Sequence, residues 1–304
     1  MANLQLSLAT DVGRKRQGNE DAVVALVPPD APGSVDAVFV VADGMGGHEA
    51  GEIASAIVVR TLVERFGPGS PFHAGGAAPG AEDLRRAVQE ANAAIVAEAQ
   101  GDKKGMGTTA TAGIIEQSRL HIAHVGDSRA YMLRGGRLYM LTQDHSWVAE
   151  QVRAGALKPE EAATHPRRNL LTRALGTGDH VEVDAQTIPL EQDDLILLCS
   201  DGLYGVVPDE KIREELLKTP DLQAVCDHLV AEANRMGGPD NITVLVARHG
   251  EEEKPAGTSD RTSSTLVPGR RRRSKRLVAL ALLVLAAAAG AAAVGYLSGV
   301  GPFS

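Results

Sequence analysis

The amino-acid sequence predicts an α+β domain built on antiparallel sheet, and three observations carry that reading. Apolar runs of strand length alternate with stretches of helical period up to about His249. Several successive runs are joined by too few residues to hold the crossover helix that a parallel pair requires. Gly135-Gly136, between two of them, is the signature of a tight hairpin turn.

The strand-like runs fall at residues 37–42, 110–115, 120–125, 130–133, 195–199 and 242–247. Helical spacing is clearest in Leu84, Val88, Ala91, Ile95 and Ala99, which share one face of a helix starting near Ala81. Similar stripes run through Ile53, Ile57 and Leu62, and through Leu222, Val225 and Leu229. All three are faces that pack into a core. With 43% hydrophobic but only 3% aromatic residues, that core is built from Val, Leu, Ile and Ala. The same scarcity of aromatics argues against stacking platforms for nucleic acid. A formal net charge of -8 also disfavours a phosphodiester backbone as partner, because six of the cations sit in one run at residues 270–276 and leave the rest more acidic still. Cys199 and Cys226 are too few and too far apart for a disulfide framework or a zinc knuckle, and read as reduced core thiols.

Composition divides the chain after residue 250. Residues 251–269 are rich in Glu, Ser, Thr, Pro and Gly and read as a flexible linker. The basic run 270–276 comes next, and then residues 277–300 carry no charge. That stretch is long enough to cross a bilayer as a helix, with an Ala-rich helix packed on the domain as the other reading. Cations beside it favour the anionic cytoplasmic leaflet, so the expectation is a single-pass anchor, residues 1–250 in the cytoplasm and a short outer tail at 301–304. Residues 3–9 are too short and too broken by Gln5 and Ser7 to read as an export signal.

The residues that terminate the apolar runs point to chemistry. One run ends in Asp43-Gly44, another in Gly126-Asp127, a third in Asp201-Gly202, and Gly238-Pro239-Asp240-Asn241 leads into a fourth. Each Asp taken singly is an ordinary turn residue. Four at strand ends of packed sheets are a different matter, since two carboxylates about 4 Å apart at an effective dielectric near 20 repel by about 4 kcal/mol. Such a cluster takes up protons or binds cations, and oxygen ligands favour Mg²⁺ or Mn²⁺ over zinc. His121 and His124 offer no better metal site, because their odd spacing on a strand sends them to opposite faces. Gly44-Met45-Gly46-Gly47 lacks the Lys-Ser or Lys-Thr of a nucleotide loop, and Gly105-Met106-Gly107 lacks a third dinucleotide glycine.

With these residues in view the chain resembles the metal-dependent protein phosphatases of the 2C type, especially their bacterial branch. The matching pieces, in the family's order, are Arg16-Gln17-Gly18-Asn19-Glu20-Asp21, Ala42-Asp43-Gly44-Met45-Gly46-Gly47-His48, Gly105-Met106-Gly107-Thr108-Thr109, Val125-Gly126-Asp127-Ser128-Arg129, Cys199-Ser200-Asp201-Gly202-Leu203 and Gly238-Pro239-Asp240-Asn241-Ile242-Thr243. The resemblance spans residues 4–249 and implies a β-sandwich of two antiparallel sheets flanked by helices, a four-layer α-β-β-α arrangement. It implies two Mn²⁺ or Mg²⁺ ions, with Asp43 shared between them, the Gly44 carbonyl joining one, and Asp201 and Asp240 completing the other. Asp127 with Asp201 resembles the ligand set of a third, weaker ion. Glu20 and Asp21 would hold water on the ions, Asn241 would stand behind the ligands, and Arg16 would clamp the substrate phosphate.

The implied activity is hydrolysis of phosphoserine and phosphothreonine in proteins, with water activated between cations about 3.5–4 Å apart and no phosphoenzyme. A planar guanidinium at Arg16 grips phosphate through two hydrogen bonds, which Lys cannot reproduce. Animal members carry His where this chain has Met45, so the acid that protonates the leaving oxygen is open between water and His48. That loss is bearable, since general acid catalysis supplies about 10²- to 10⁴-fold. Residues 147–176, with Arg153, Lys158, Arg167, Arg168 and Arg173, occupy the position of the family's flap, where their cations face either acidic flanks of a phosphopeptide or solvent. Expected partners are phosphorylated proteins, including a membrane serine/threonine kinase. Two rival readings are a catalytically silent phosphoprotein-binding or scaffold module and a phosphatase for small phosphoesters, and none of the expected metal aspartates is missing. Ser259, Thr262, Ser263, Ser264 and Thr265 are either phosphorylated or plain linker residues.

Overall fold

Alternation along single strands explains the layering of this protein. In the computed structural model, which describes residues 4–46, 49–74, 77–101 and 104–250, Val38, Val40 and Ala42 point into one apolar cluster while Ala37, Phe39 and Val41 point into another. Both faces of that strand are buried, which is why its sequence is a continuous apolar run with no polar alternation.

In chain order the elements are β1 (Gln5–Asp11), β2 (Asp21–Leu26), β3 (Ala37–Met45), α1 (Glu49–Phe66), α2 (Ala81–Glu98), β4 (Gly107–Thr108), β5 (Ala110–Glu116), β6 (Arg119–Val125), β7 (Arg129–Arg134) and β8 (Arg137–Met140). Then come α3 (Trp147–Arg153), α4 (Pro159–Ala162), β9 (Asp184–Pro189), β10 (Leu195–Cys199), α5 (Asp201–Tyr204), α6 (Asp209–Lys218), α7 (Leu222–Arg235) and β11 (Ile242–Arg248). One sheet has the order β1-β11-β10-β7-β8, the other β2-β3-β5-β6-β9 with β4 beside β3. Every pairing is antiparallel.

Three apolar layers hold the sandwich together. The central one joins the sheets through Phe39, Ile122, Met132, Leu198 and Leu245. A second lies between α1, α2 and the β3-β5 sheet, with Ile57, Leu62, Leu84, Val88 and Ile95 facing Val40 and Ile114. The third packs α6 and α7 on β10 and β11 through Leu216, Val225, Leu229, Leu197 and Val246. The expected four-layer order is therefore present, and the helical stripes are its outer cores. α2 begins at Ala81 as expected, and Asp221 caps α7 by accepting from the amides of Gln223 and Ala224. Gly135-Gly136 turns β7 into β8 with Arg134 opposite Arg137. Cys199 and Cys226 are free and buried.

β1, β2, β8, β9 and α6 carried no clear pattern in the sequence. β9 is an edge strand whose residues are almost all exposed, so no apolar face marks it. The linker, basic run, anchor and tail expected over residues 251–304 lie outside the described residues. Among the described residues, no helix is long and apolar enough to cross a membrane.

Gly113 lies opposite Phe39 in the β3-β5 pairing, and a Cβ there would stand 2.3 Å from one ring carbon and 2.6 Å from the next. Phe39 is fully buried and has nowhere to retreat. Gly113→Ala should therefore lower unfolding stability by about 1–3 kcal/mol in urea titration, with activity per folded molecule retained.

Candidate metal centre

The aspartates meet because of where the strands end. In register, Asp21 at the start of β2 stands directly across from Asp43 near the end of β3. β10 ends beside the starts of β7 and β11, with Cys199 opposite both Arg129 and Val244. Asp201, two residues past Cys199, and Asp240, two before Ile242, are thereby carried to one end of the second sheet. Asp127 lies in the short turn that takes the chain from β6 in one sheet to β7 in the other. One end of the sandwich thus gathers carboxylates from both sheets.

A cavity of about 230 Å³ opens there, and Arg16, Glu20, Asp43, Gly44, Asp127, Asp201 and Asp240 all line it. The remaining two predicted residues lie behind it. Asp21 accepts a 2.7 Å hydrogen bond from the Ser200 hydroxyl. Asn241 accepts from the Glu20 amide at 2.8 Å and donates to the carbonyls of Val12 and Gly18 at 2.9 Å each, so it stitches the Arg16 loop to the Asp240 turn. Asp43 is held by its backbone: its amide donates to the Thr109 hydroxyl and its carbonyl accepts from the Thr109 amide, each at 2.9 Å. Gly44 has no room for a side chain, since a Cβ would fall 2.2 Å from the Gly51 carbonyl oxygen.

Electrostatics make this cavity costly without a cation. Burial pushes Asp21 up to about 7, with Asp201 and Asp240 adding repulsion against the hydrogen bonds from Ser200 and Thr243. Burial and the charge of Asp201 push Asp127 up to about 8. Asp201 rises to about 6 through burial and Asp240. Asp43 stands well above the usual carboxylate range, through burial and then through Asp21, Asp201, Asp127 and Asp240. Two buried oxygens, Asp21 Oδ1 and Asp201 Oδ1, have no hydrogen-bond donor. Orphaned anionic acceptors in an all-oxygen donor set fit Mn²⁺ or Mg²⁺. Among the described residues no three acidic, His or Cys side chains close into a ready ligand cage.

Arg16 donates to Asp240 Oδ2 at 2.8 Å from a position 48% exposed, so the guanidinium is accessible from the cavity and its ion pair is exchangeable. Met45 lines the cavity, and His48 lies outside the described residues. Residues 147–176, where a flap is expected, form α3 and α4 with their flanking loops, and their cations divide. Arg173 pairs with Asp184 at 2.6 Å and Arg167 stacks over the Trp147 ring, whereas Arg153 and Arg168 line a neighbouring cavity of about 660 Å³. Asn169, from the flap, lines both cavities and had no signal in the sequence. Ser200 stood inside a recognised motif without a role, and only its bond to Asp21 reveals one. His121 and His124 are separate, as their spacing required: His121 faces Thr187, while His124 stacks on His145 with ring centroids 4.8 Å apart.

The chain belongs to the protein phosphatase 2C family, whose model matches residues 9–242. It is 42% identical over 251 residues to the serine/threonine phosphatase stp of Listeria monocytogenes, covering 81% of this chain and 96% of that one. Among solved structures, it is similar to the Mycobacterium tuberculosis serine/threonine phosphatase PstP/Ppp, with TM-score 0.71 and 38% identity over 83% of this chain and 100% of that chain. The PstP catalytic domain in complex with two manganese ions matches with TM-score 0.71 and 37% identity, again over 83% and 100%.

Carboxylates with raised values hold protons that the unfolded chain releases near pH 4, so their contribution favours folding at low pH and is lost as pH climbs through about 6 to 8. A bound cation reverses that penalty. The gain in melting temperature on adding Mn²⁺ should therefore be larger at about pH 8 than at about pH 5, as differential scanning fluorimetry against a chelated control will read.

Proposed function

We propose that this chain is a serine/threonine protein phosphatase that hydrolyses phosphoserine and phosphothreonine in proteins with Mn²⁺ or Mg²⁺. The observation that carries the reading is a cavity lined by Asp43, Asp127, Asp201, Asp240 and an exposed arginine, with buried, donorless carboxylate oxygens on Asp201 at its wall and on Asp21 behind it. Asp43, Asp201 and Asp240 would hold two ions together with the Gly44 carbonyl, Asp127 would serve a third, and Glu20 and Asp21 would hold their waters. When bound, such ions supply positive charge to the phosphoryl oxygens and acidify a water for in-line attack on phosphorus.

The protein's own groups bind and orient. Arg16 exchanges its exposed pairing with Asp240 for two parallel hydrogen bonds to the phosphoryl group. Asn241 keeps the Arg16 loop and Asp240 in fixed relation, so the clamp and the carboxylates move as one body. Met45 has no proton to donate to the leaving oxygen. Room beside the centre favours a protein substrate over a small phosphoester, because the larger cavity shares Asp127, Asn169 and Asp201 with the smaller one and accommodates residues flanking the phosphorylated side chain.

The similarity to stp and PstP, both named serine/threonine phosphatases, supports the same assignment. As part of the same proposal, residues 277–300 anchor the chain in the membrane behind the basic run 270–276, with the catalytic domain cytoplasmic and a serine/threonine kinase of that membrane among its substrates. Carbonate extraction of cell membranes should leave the full chain in the pellet and release a variant lacking residues 270–304.

Phosphate release from a phosphothreonine peptide should require Mn²⁺ or Mg²⁺ and stop with chelator. Asp43→Ala or Asp240→Ala should lower kcat at least about 10²-fold. Arg16→Lys should act mainly on KM, by roughly tenfold, because Lys offers a point charge where the guanidinium offers a fork. Turnover that survives chelation and both Asp substitutions would overturn the assignment.

A further inference from the structure

We propose that His145 is the positioning residue that presents Asp127 to the metal centre and joins its placement to that of the flap. This rests on the reading of the smaller cavity as the phosphatase centre.

Asp127 sits in a turn, without ladder hydrogen bonds of its own, and lines both cavities. Its backbone is fixed from two sides. On one side the Tyr204 hydroxyl donates to the Asp127 carbonyl at 2.9 Å. On the other, His145 grips the preceding residue twice: the His145 amide donates to the Gly126 carbonyl at 2.8 Å, and the Gly126 amide donates to His145 Nδ1 at 3.1 Å. Gly126 has φ +108°, and a Cβ on it would meet the Thr109 side chain at 2.6 Å, so the turn admits only glycine there.

The geometry fixes the tautomer. A backbone N–H can only donate, so Nδ1 accepts and Nε2 carries the proton. That proton goes to Asp184 Oδ2 at 3.1 Å, and the other Asp184 oxygen accepts from Arg173 at 2.6 Å. The ring is 2% exposed, so water cannot replace either partner. The same residue closes the base of the flap. The His145 carbonyl accepts from the Thr172 amide, Ser146 pairs with Leu171, and the Trp147 amide donates to the Leu170 carbonyl. Leu171 lines the smaller cavity, so the flap base and the Asp127 turn meet at one imidazole.

Two substitutions separate the two ring contacts. Asn places an acceptor where Nδ1 stands and has nothing at Nε2; Gln places an N–H where Nε2 stands and has no acceptor at Nδ1. In the full chain, His145→Gln should raise the Mn²⁺ concentration for half-maximal activity about tenfold or more, whereas His145→Asn stays within about threefold of wild type. Calorimetric Mn²⁺ titration should show the same order without reference to turnover. Emission from Trp147, the single tryptophan, should shift on Mn²⁺ binding in wild type and lose that shift in His145→Gln. Asp184 is 45% exposed, so Asp184→Ala folds even where His145→Gln does not, and it should weaken Mn²⁺ activation about threefold by freeing the ring from its far side. Active wild type with His145→Asn, His145→Gln and Asp184→Ala all matching it in Mn²⁺ dependence, or with Asn and Gln equally impaired, overturns the role of His145. Wild type without Mn²⁺-dependent turnover overturns the phosphatase reading instead.

Discussion

Carboxylates that repel one another at the end of the sandwich are the constraint on which the rest of this structure turns. Asp43 stands across a strand pair from Asp21, and Asp127, Asp201 and Asp240 approach from the opposite sheet and from the turn between sheets. Burial away from water pushes Asp21 up to about 7 and Asp127 up to about 8, and the neighbouring carboxylates add to the rise. Side chains in that state relax apart unless their backbones are held. The surrounding structure supplies the holding: Asp43 between the Thr109 amide and hydroxyl, Asp21 under Ser200, and Asp240 joined through Asn241 to the loop that bears Arg16.

That bracing depends on the apolar layers further in. Phe39, Ile122, Leu198 and Leu245 fix the two sheets against each other, so the ends of β3, β6, β10 and β11 stay in one place. A sandwich with both sheet faces covered has little freedom to slide, because a shift of one residue would turn every inward side chain outward. The packing of the two sheets therefore sets where the site residues stand. The charge cluster stores unfavourable energy that the sandwich tolerates and that bound divalent cations would relieve.

The flap adds a second level. Its cations are not equivalent: Arg173 is absorbed in an ion pair with Asp184, Arg167 lies over Trp147, and Arg153 and Arg168 border the larger cavity together with Arg129 of β7. Its ends are bound into the site, with Thr108 and Leu175 exchanging hydrogen bonds beside Asp43 and Ser146 paired with Leu171. The two cavities thus share a border formed by Asp127, Asn169 and Asp201.

Much of this was legible in the sequence. Apolar period located β3, β5, β6, β7, β10 and β11 and the core faces of α1, α2 and α7, and turn chemistry put an aspartate at each critical strand end. Edge strand β9 was not legible, since solvent on its faces removes the pattern that period detects, and neither was Asn169, an isolated polar residue in a loop. Local sequence determined what the segments with a buried face are, because propensity, period and turn preference act over a few residues. Only the tertiary structure decided which side chains meet, that Asp21 faces Asp43 and that His145 reaches Gly126, because register and sheet packing are set by contacts between residues remote in the chain.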